Sequence, residues 1–80
     1  MILYGRDLSP FVRRIAIWCD LQERPIERRK LMVSGPEWEQ VKAVNPTGRV
    51  PALVLPDGEV LVESWAIMDW LEETAAPHLR

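Results

Sequence analysis

The first ten residues place the tightest constraint on the fold. An apolar run from Met1 to Tyr4 stops at Gly5, and Ser9-Pro10 come within a few residues of it. So short and continuous an apolar run suits a strand covered on both faces, at the centre of a sheet. Serine is a favoured N-cap and proline is pre-set for the first helical turn. The chain therefore opens with strand, loop and helix, and the remaining residues must supply the partners that cover that strand.

Phe11, Val12, Ile15, Ala16, Trp18 and Cys19 recur at spacings of three and four, with Arg13 and Arg14 beside them. This predicts a helix to about Gln22 with a broad apolar face. Ile26 to Val33 carries Arg28, Arg29 and Lys30 and reads as a charged edge strand. Ser34 and Glu37 match an S-x-x-E capping box with Pro36 in its first turn. Trp38, Val41 and Val44 then predict a short helix ending before Asn45-Pro46. Val50 to Leu55 and Glu59 to Val62 are apolar runs joined by Pro56-Asp57-Gly58, an antiparallel hairpin. Ser64 caps a third helix, with Ala66, Ile67, Trp70 and Leu71 on one face and Asp69, Glu72 and Glu73 on another. The order is βαβαββα. Its first β-α-β unit requires a parallel pair with a right-handed crossover, and the hairpin adds antiparallel strands. The expected fold is α/β and thioredoxin-like: a four-stranded mixed sheet with helices on both faces.

Eighty residues make one domain, since a chain this short buries only roughly 60% of its unfolded surface. A composition of 48% hydrophobic and 28% charged residues is that of an ordinary globular domain. Ten basic against twelve acidic residues leave a net charge of −2, too weak a field to steer nucleic acid or an anionic membrane. One cysteine, Cys19, can form neither an internal disulfide nor a metal cluster, which fits a reducing cytosol. The start MILYGRDLSP lacks the basic and apolar regions of a leader, and no apolar run approaches the roughly 18 residues of a membrane span. The expectation is a cytoplasmic protein without membrane or nucleic-acid partners. Helical periodicity fades at TAAPHLR, so residues 1–76 are expected to form the domain and 77–80 to begin a linker.

Three short clusters are brought together by this topology: Ser9-Pro10-Phe11, Arg49-Val50-Pro51 and Glu63-Ser64. Pro51 stands in an apolar strand, where proline removes a ladder donor. An ordinary trans proline at a strand start is one solution; the favoured one is a cis Val50-Pro51 bond, which would leave the Val50 backbone free to pair with a peptide-like ligand. The segments SPFVRR, NPTGRVPALVLPDG and ESWAIMDWLEE together resemble the N-terminal domain of glutathione transferases, over essentially the whole chain. The SPFVRR form is most similar to serine-type classes such as the tau-like enzymes and bacterial relatives.

The resemblance implies that the domain binds glutathione as co-substrate and stabilises its thiolate for attack on a small electrophile. Ser9 would be the catalytic residue, its hydroxyl donating to the glutathione sulfur. A helix N-terminus also favours negative charge, so physics and resemblance agree. Phe11, Arg49, Val50, Pro51, Glu63 and Ser64 would bind the tripeptide. Val50 would exchange backbone bonds with its cysteinyl unit, and Arg49, ranked above Lys42, would face its glycyl carboxylate. Glu63 would meet the γ-glutamyl ammonium, and Ser64 with its helix N-terminus would meet the α-carboxylate. No metal is implied. The family's electrophile pocket lies largely in a C-terminal helical domain, and the full-length enzymes are expected to be homodimers. These eighty residues are therefore expected to bind glutathione while catalysing little alone.

Two other readings compete. A transferase-like domain can serve as a non-catalytic interaction scaffold, which has no need of all three clusters. A glutaredoxin-like oxidoreductase would need a cysteine where Ser9 stands, because a hydroxyl forms no mixed disulfide. Cys19, on the apolar side of the first helix, reads as a small hydrophobe, and His78 as a surface residue. Of the four tryptophans, at least one of Trp18 and Trp70 is expected to be substantially exposed, as part of an interface.

Overall fold

The computed structural model describes residues 1–32 and 34–76. Val33, at the end of the second expected strand, and the expected linker 77–80 with His78 lie outside the described residues. The elements run β1 (Ile2–Tyr4), α1 (Pro10–Leu21), β2 (Glu27–Arg29), a 3-10 turn (Gly35–Glu37), α2 (Trp38–Val44), β3 (Ala52–Val54), β4 (Val60–Leu61) and α3 (Ser64–Thr74).

The sheet has four strands in the order β2-β1-β3-β4. β1 pairs parallel with β2 and antiparallel with β3, so Leu3 stands between Arg28 and Leu53. β3 pairs antiparallel with β4, Leu53 opposite Leu61. The apolar run that opens the chain is thus a central strand, and the basic run is an edge strand. This is the thioredoxin-like arrangement.

α1 and α3 pack on each other. Leu3, Val12, Ile15, Cys19, Leu53, Ile67 and Leu71 are fully buried in one core. They come from β1, α1, β3 and α3, so the core joins sheet and helices. Fully burying one such side chain contributes roughly 1.5–3 kcal/mol, and truncating Leu71 to alanine should cost about 2–5 kcal/mol. The β3–β4 turn forms as its residues dictate: Asp57 Oδ1 accepts from Glu59 N at 2.9 Å, and Gly58 has a φ of 90°.

Several local expectations are corrected. β2 covers three residues and β4 two, because an apolar or β-prone run continues past the point where a partner backbone lies alongside. Ser34 makes no capping bond. The Glu37 carboxylate accepts from Met32 N at 2.8 Å instead, and a 3-10 turn precedes α2. At α3 the extended N-cap residue is Glu63, and Ser64 is already helical.

The tryptophan expectation also changes. Trp18 and Trp70 are both half-buried. With the Gln22 amide oriented to satisfy both its groups, its oxygen accepts from Trp18 Nε1 at 2.8 Å and its nitrogen donates to Leu71 O at 3.2 Å. The Arg24 guanidinium lies 4.8 Å from the Trp70 ring centroid and donates to Leu71 O at 3.0 Å. These bonds hold both indoles in the seam between α1 and α3. The most exposed indole is Trp65, at 68%.

Candidate functional site

Ser9 stands at the N-cap of α1, where its extended backbone turns the chain into the helix. Its Oγ accepts from Val12 N at 3.3 Å and its carbonyl accepts from Arg13 N at 3.0 Å. The hydroxyl thus serves the helix as acceptor and keeps its proton for a ligand. Pro10 has no N–H to give, so the Phe11 N–H is left in the first turn without an acceptor among the described residues. Positive helix potential, a free N–H and a hydroxyl donor converge on this end, a combination that favours an anion.

The loop after α2 presents the second cluster. Asn45, 3% exposed, organises it: its Oδ1 accepts from Thr47 N at 3.2 Å and Thr47 Oγ1 at 2.9 Å. Its Nδ2 donates to Arg49 O at 3.0 Å. Trp38 Nε1 donates to Gly48 O at 3.2 Å, anchoring the loop to α2. Gly48 has a φ of 69°, and a Cβ there would overlap the Trp38 indole. The Val50-Pro51 peptide is cis. Among the described residues Val50 has no backbone hydrogen bond, so its N–H and C=O can pair with an extended ligand.

The third cluster is the start of α3. Glu63 is exposed and its carboxylate makes no cap bond. Beside it, the Ser64 hydroxyl and the first-turn N–H groups of an 11-residue helix open together. Carboxylate and helix end form a bipolar pair suited to the ammonium and carboxylate of an amino acid.

A cleft of about 320 Å³ gathers Phe11, Asn45, Thr47, Arg49, Val50, Pro51, Val62, Glu63 and Ser64. Every residue expected to bind the tripeptide is on its wall. Ser9 is not: it lines an adjoining, more apolar cleft of about 220 Å³ with Arg6, Leu8, Leu31, Met32, Ser34 and Val50. Val50 is common to both. The site is therefore two-part, with the peptide-like groove on one side of Val50 and the serine with an apolar wall on the other. Lys42 is absent from both walls, held by Glu39 at 2.9 Å and by the Trp38 ring at 4.3 Å, which leaves Arg49 as the cation of the groove.

Asn45, Trp38 and Val62 were not anticipated as site residues. The NPTGRVP segment did carry the signal for Asn45, since asparagine ahead of a Pro-x-Gly loop commonly bonds backbone two residues on. Cys19 is fully buried, and burial pushes its thiol above the ordinary value despite nearby arginines. A buried, protonated thiol does not act as a nucleophile.

The family model for the glutathione S-transferase N-terminal domain matches residues 3–78. The chain belongs to the glutathione S-transferase family. Among curated relatives, maleylacetoacetate isomerase of Pseudomonas aeruginosa is 41% identical over 75 residues, covering 88% of this chain and 34% of the relative. Among solved structures, a glutathione transferase homologue from Sulfitobacter with bound glutathione superposes with a TM-score of 0.85 at 29% identity, over 98% of this chain and 38% of that one. Maleylacetoacetate isomerase from Methylobacterium extorquens AM1, crystallised with malonate and glutathione, gives 0.84 at 35% identity, over 95% and 36%. This glutathione S-transferase domain thus spans about a third of the length of its relatives. Among the described residues no helix is long and apolar enough to cross a membrane, and no group of three or more His, Cys, Asp and Glu could hold a metal ion.

Proposed function

We propose that this domain binds glutathione in the groove from Arg49 to Ser64 and stabilises its thiolate at Ser9. The observation that carries the reading is the position of Val50, on the wall of both clefts. A tripeptide whose cysteinyl backbone pairs with Val50 sends its γ-glutamyl end toward Glu63 and Ser64 and its side chain toward Ser9. Arg49 supplies charge for the glycyl carboxylate.

The thiolate then forms a C–S bond to an electrophilic carbon. The maleylacetoacetate isomerases among the relatives favour an activated alkene as the electrophile. After addition, the resulting carbanion either takes up a proton, which is conjugation, or rotates about the former double bond and expels the thiolate, which is isomerisation. Most of the electrophile pocket would come from a C-terminal helical domain of a cytoplasmic homodimer.

Glutathione titration of the chain followed by amide NMR tests the reading, run beside Ser9→Ala and Glu63→Ala. Shifts are expected around Ser9, Val50 and Ser64. Losing a hydrogen bond to a charged group costs about 1.5–3 kcal/mol, so Ser9→Ala should raise the bound thiol's pKa by about one to two units. Glu63→Ala should weaken binding about tenfold or more. Unchanged thiol pKa in Ser9→Ala, or shifts confined elsewhere, would reject it.

A further inference from the structure

The basic run Arg28 to Lys30, in β2 and just past its end, has the appearance of a solvated edge, but the structure uses it otherwise. Arg28 Nη2 donates to Asp7 Oδ1 at 2.8 Å and also to Gly5 O at 3.2 Å. Lys30 Nζ donates to Asp7 Oδ2 at 2.9 Å. Asp7 belongs to the loop between β1 and Ser9, and its own carbonyl accepts from Arg13 Nη1 of α1 at 3.2 Å. Arg29, between the two, pairs with Glu27 and faces the Tyr4 ring. The loop is thus fastened to β2 through one carboxylate and to α1 through one carbonyl. Ser9 N, bonded to Arg6 O at 3.2 Å, is the next link.

We propose that Asp7 is a positioning residue for the thiolate site: bridged to Arg28 of β2 and to Lys30 just past its end, it sets where the loop places Ser9 and the Arg6 and Leu8 walls of the adjoining cleft. The inference rests on the proposed role of Ser9 as donor to the thiolate. The two halves of the bridge act together, because Asp7 accepts both cations side by side, one on each oxygen. Arg28 is the more sheltered partner, its side chain 21% exposed against 53% for Lys30, and it alone also grips the Gly5 carbonyl. The bridge therefore joins the loop at two points, Gly5 and Asp7.

The sign of the effect separates positioning from a plain field. Asp7→Asn removes a negative charge and leaves two cations near the site, so a pure field would lower the bound thiol's pKa. Lys30→Ala removes a cation, and a pure field would raise it. If the bridge positions Ser9, both variants raise it, each leaving a thiolate fraction about two- to fivefold smaller at neutral pH, the range an exposed ion pair holds. Asp7→Glu should restore most of the loss.

The test measures the pKa of bound glutathione, labelled at its cysteinyl carbon, for the unaltered chain, Ser9→Ala, Asp7→Asn, Asp7→Glu and Lys30→Ala. Hydrogen exchange of the Val12 amide, bonded to Ser9 Oγ, is read on the same samples without ligand. Faster Val12 exchange and a raised pKa in both Asp7→Asn and Lys30→Ala establish the inference. Opposite pKa shifts in those two variants, or no shift while Ser9→Ala shifts strongly, overturn it and leave the role of Ser9 standing. A thiol indifferent to Ser9→Ala defeats that role, and the inference falls with it.

Discussion

Asn45 donates from Nδ2 to the carbonyl of Arg49 at 3.0 Å, one residue ahead of the cis Val50-Pro51 bond. The same side chain accepts twice from Thr47, so a single buried amide shapes the loop that carries Val50. Its removal would strand the Arg49 carbonyl and the Thr47 N–H together. Asn45→Ala should destabilise the domain by about 1–3 kcal/mol, the summed loss of its part-buried hydrogen bonds at roughly 0.5–1.5 kcal/mol each. Urea unfolding measures that loss, and glutathione affinity should fall further than global stability alone explains. Equal affinity at saturating folded protein would show that the loop keeps its shape without Asn45.

Gly5 has a φ of 137° at the end of β1, and a Cβ there would overlap Val12 and press on Val50. Gly5→Ala thus meets both an unfavourable backbone conformation and a full core. The expected destabilisation is about 2–4 kcal/mol, visible as a lowered thermal midpoint. A cost below about 1 kcal/mol would mean that α1 shifts readily away from β1.

The Asp7 carboxyl is held below the usual carboxylate range, first by its hydrogen bond from Lys30 and then by that from Arg28. A carboxylate whose pKa is lower folded than unfolded contributes fully above its unfolded value, near 4, and loses that contribution as pH falls through the lower folded value. The stability difference between the unaltered chain and Asp7→Asn should therefore be flat from neutrality down to about pH 5 and shrink below about pH 4. A difference that widened on acidification would contradict the ion pairs.

Cys19 is fully buried with its thiol pushed up by desolvation. A thiol reagent should label it only when α1 opens, at a rate that rises with denaturant in step with unfolding. Immediate labelling of the native chain would refute the packing of α1 against α3. Cys19→Ala should leave glutathione binding unchanged.

Much of the candidate site was legible before the fold was known. Ser9-Pro10 and Arg49-Val50-Pro51 each combine a proline with a polar or charged residue, Glu63-Ser64 sets two polar residues at a strand-to-helix junction, and such combinations are visible in one dimension. The details that escaped depend on contact. Ser34 and Glu37 have the right spacing for a capping box, yet Glu37 finds Met32 N instead, because the loop from β2 passes over it. Ser64 looks like a cap, yet the chain turns one residue earlier, at Glu63. Trp38 and Asn45 act on the Val50 loop through bonds to the backbone of Gly48 and Arg49, which no spacing rule announces.

The sequence by itself determined the order of elements, the parallel first pair, the closing hairpin and the residue types offered to a ligand. Apolar period and turn chemistry are local properties, and they survive in any conformation of the chain. The tertiary structure alone decided that Val50 walls two clefts, that Trp65 rather than Trp18 or Trp70 is the most exposed indole, and that Arg28 and Lys30 close on Asp7. Those relationships join residues about twenty to sixty positions apart, and they exist only once the sheet and the α1–α3 pair have packed and brought the segments within a few ångströms of one another.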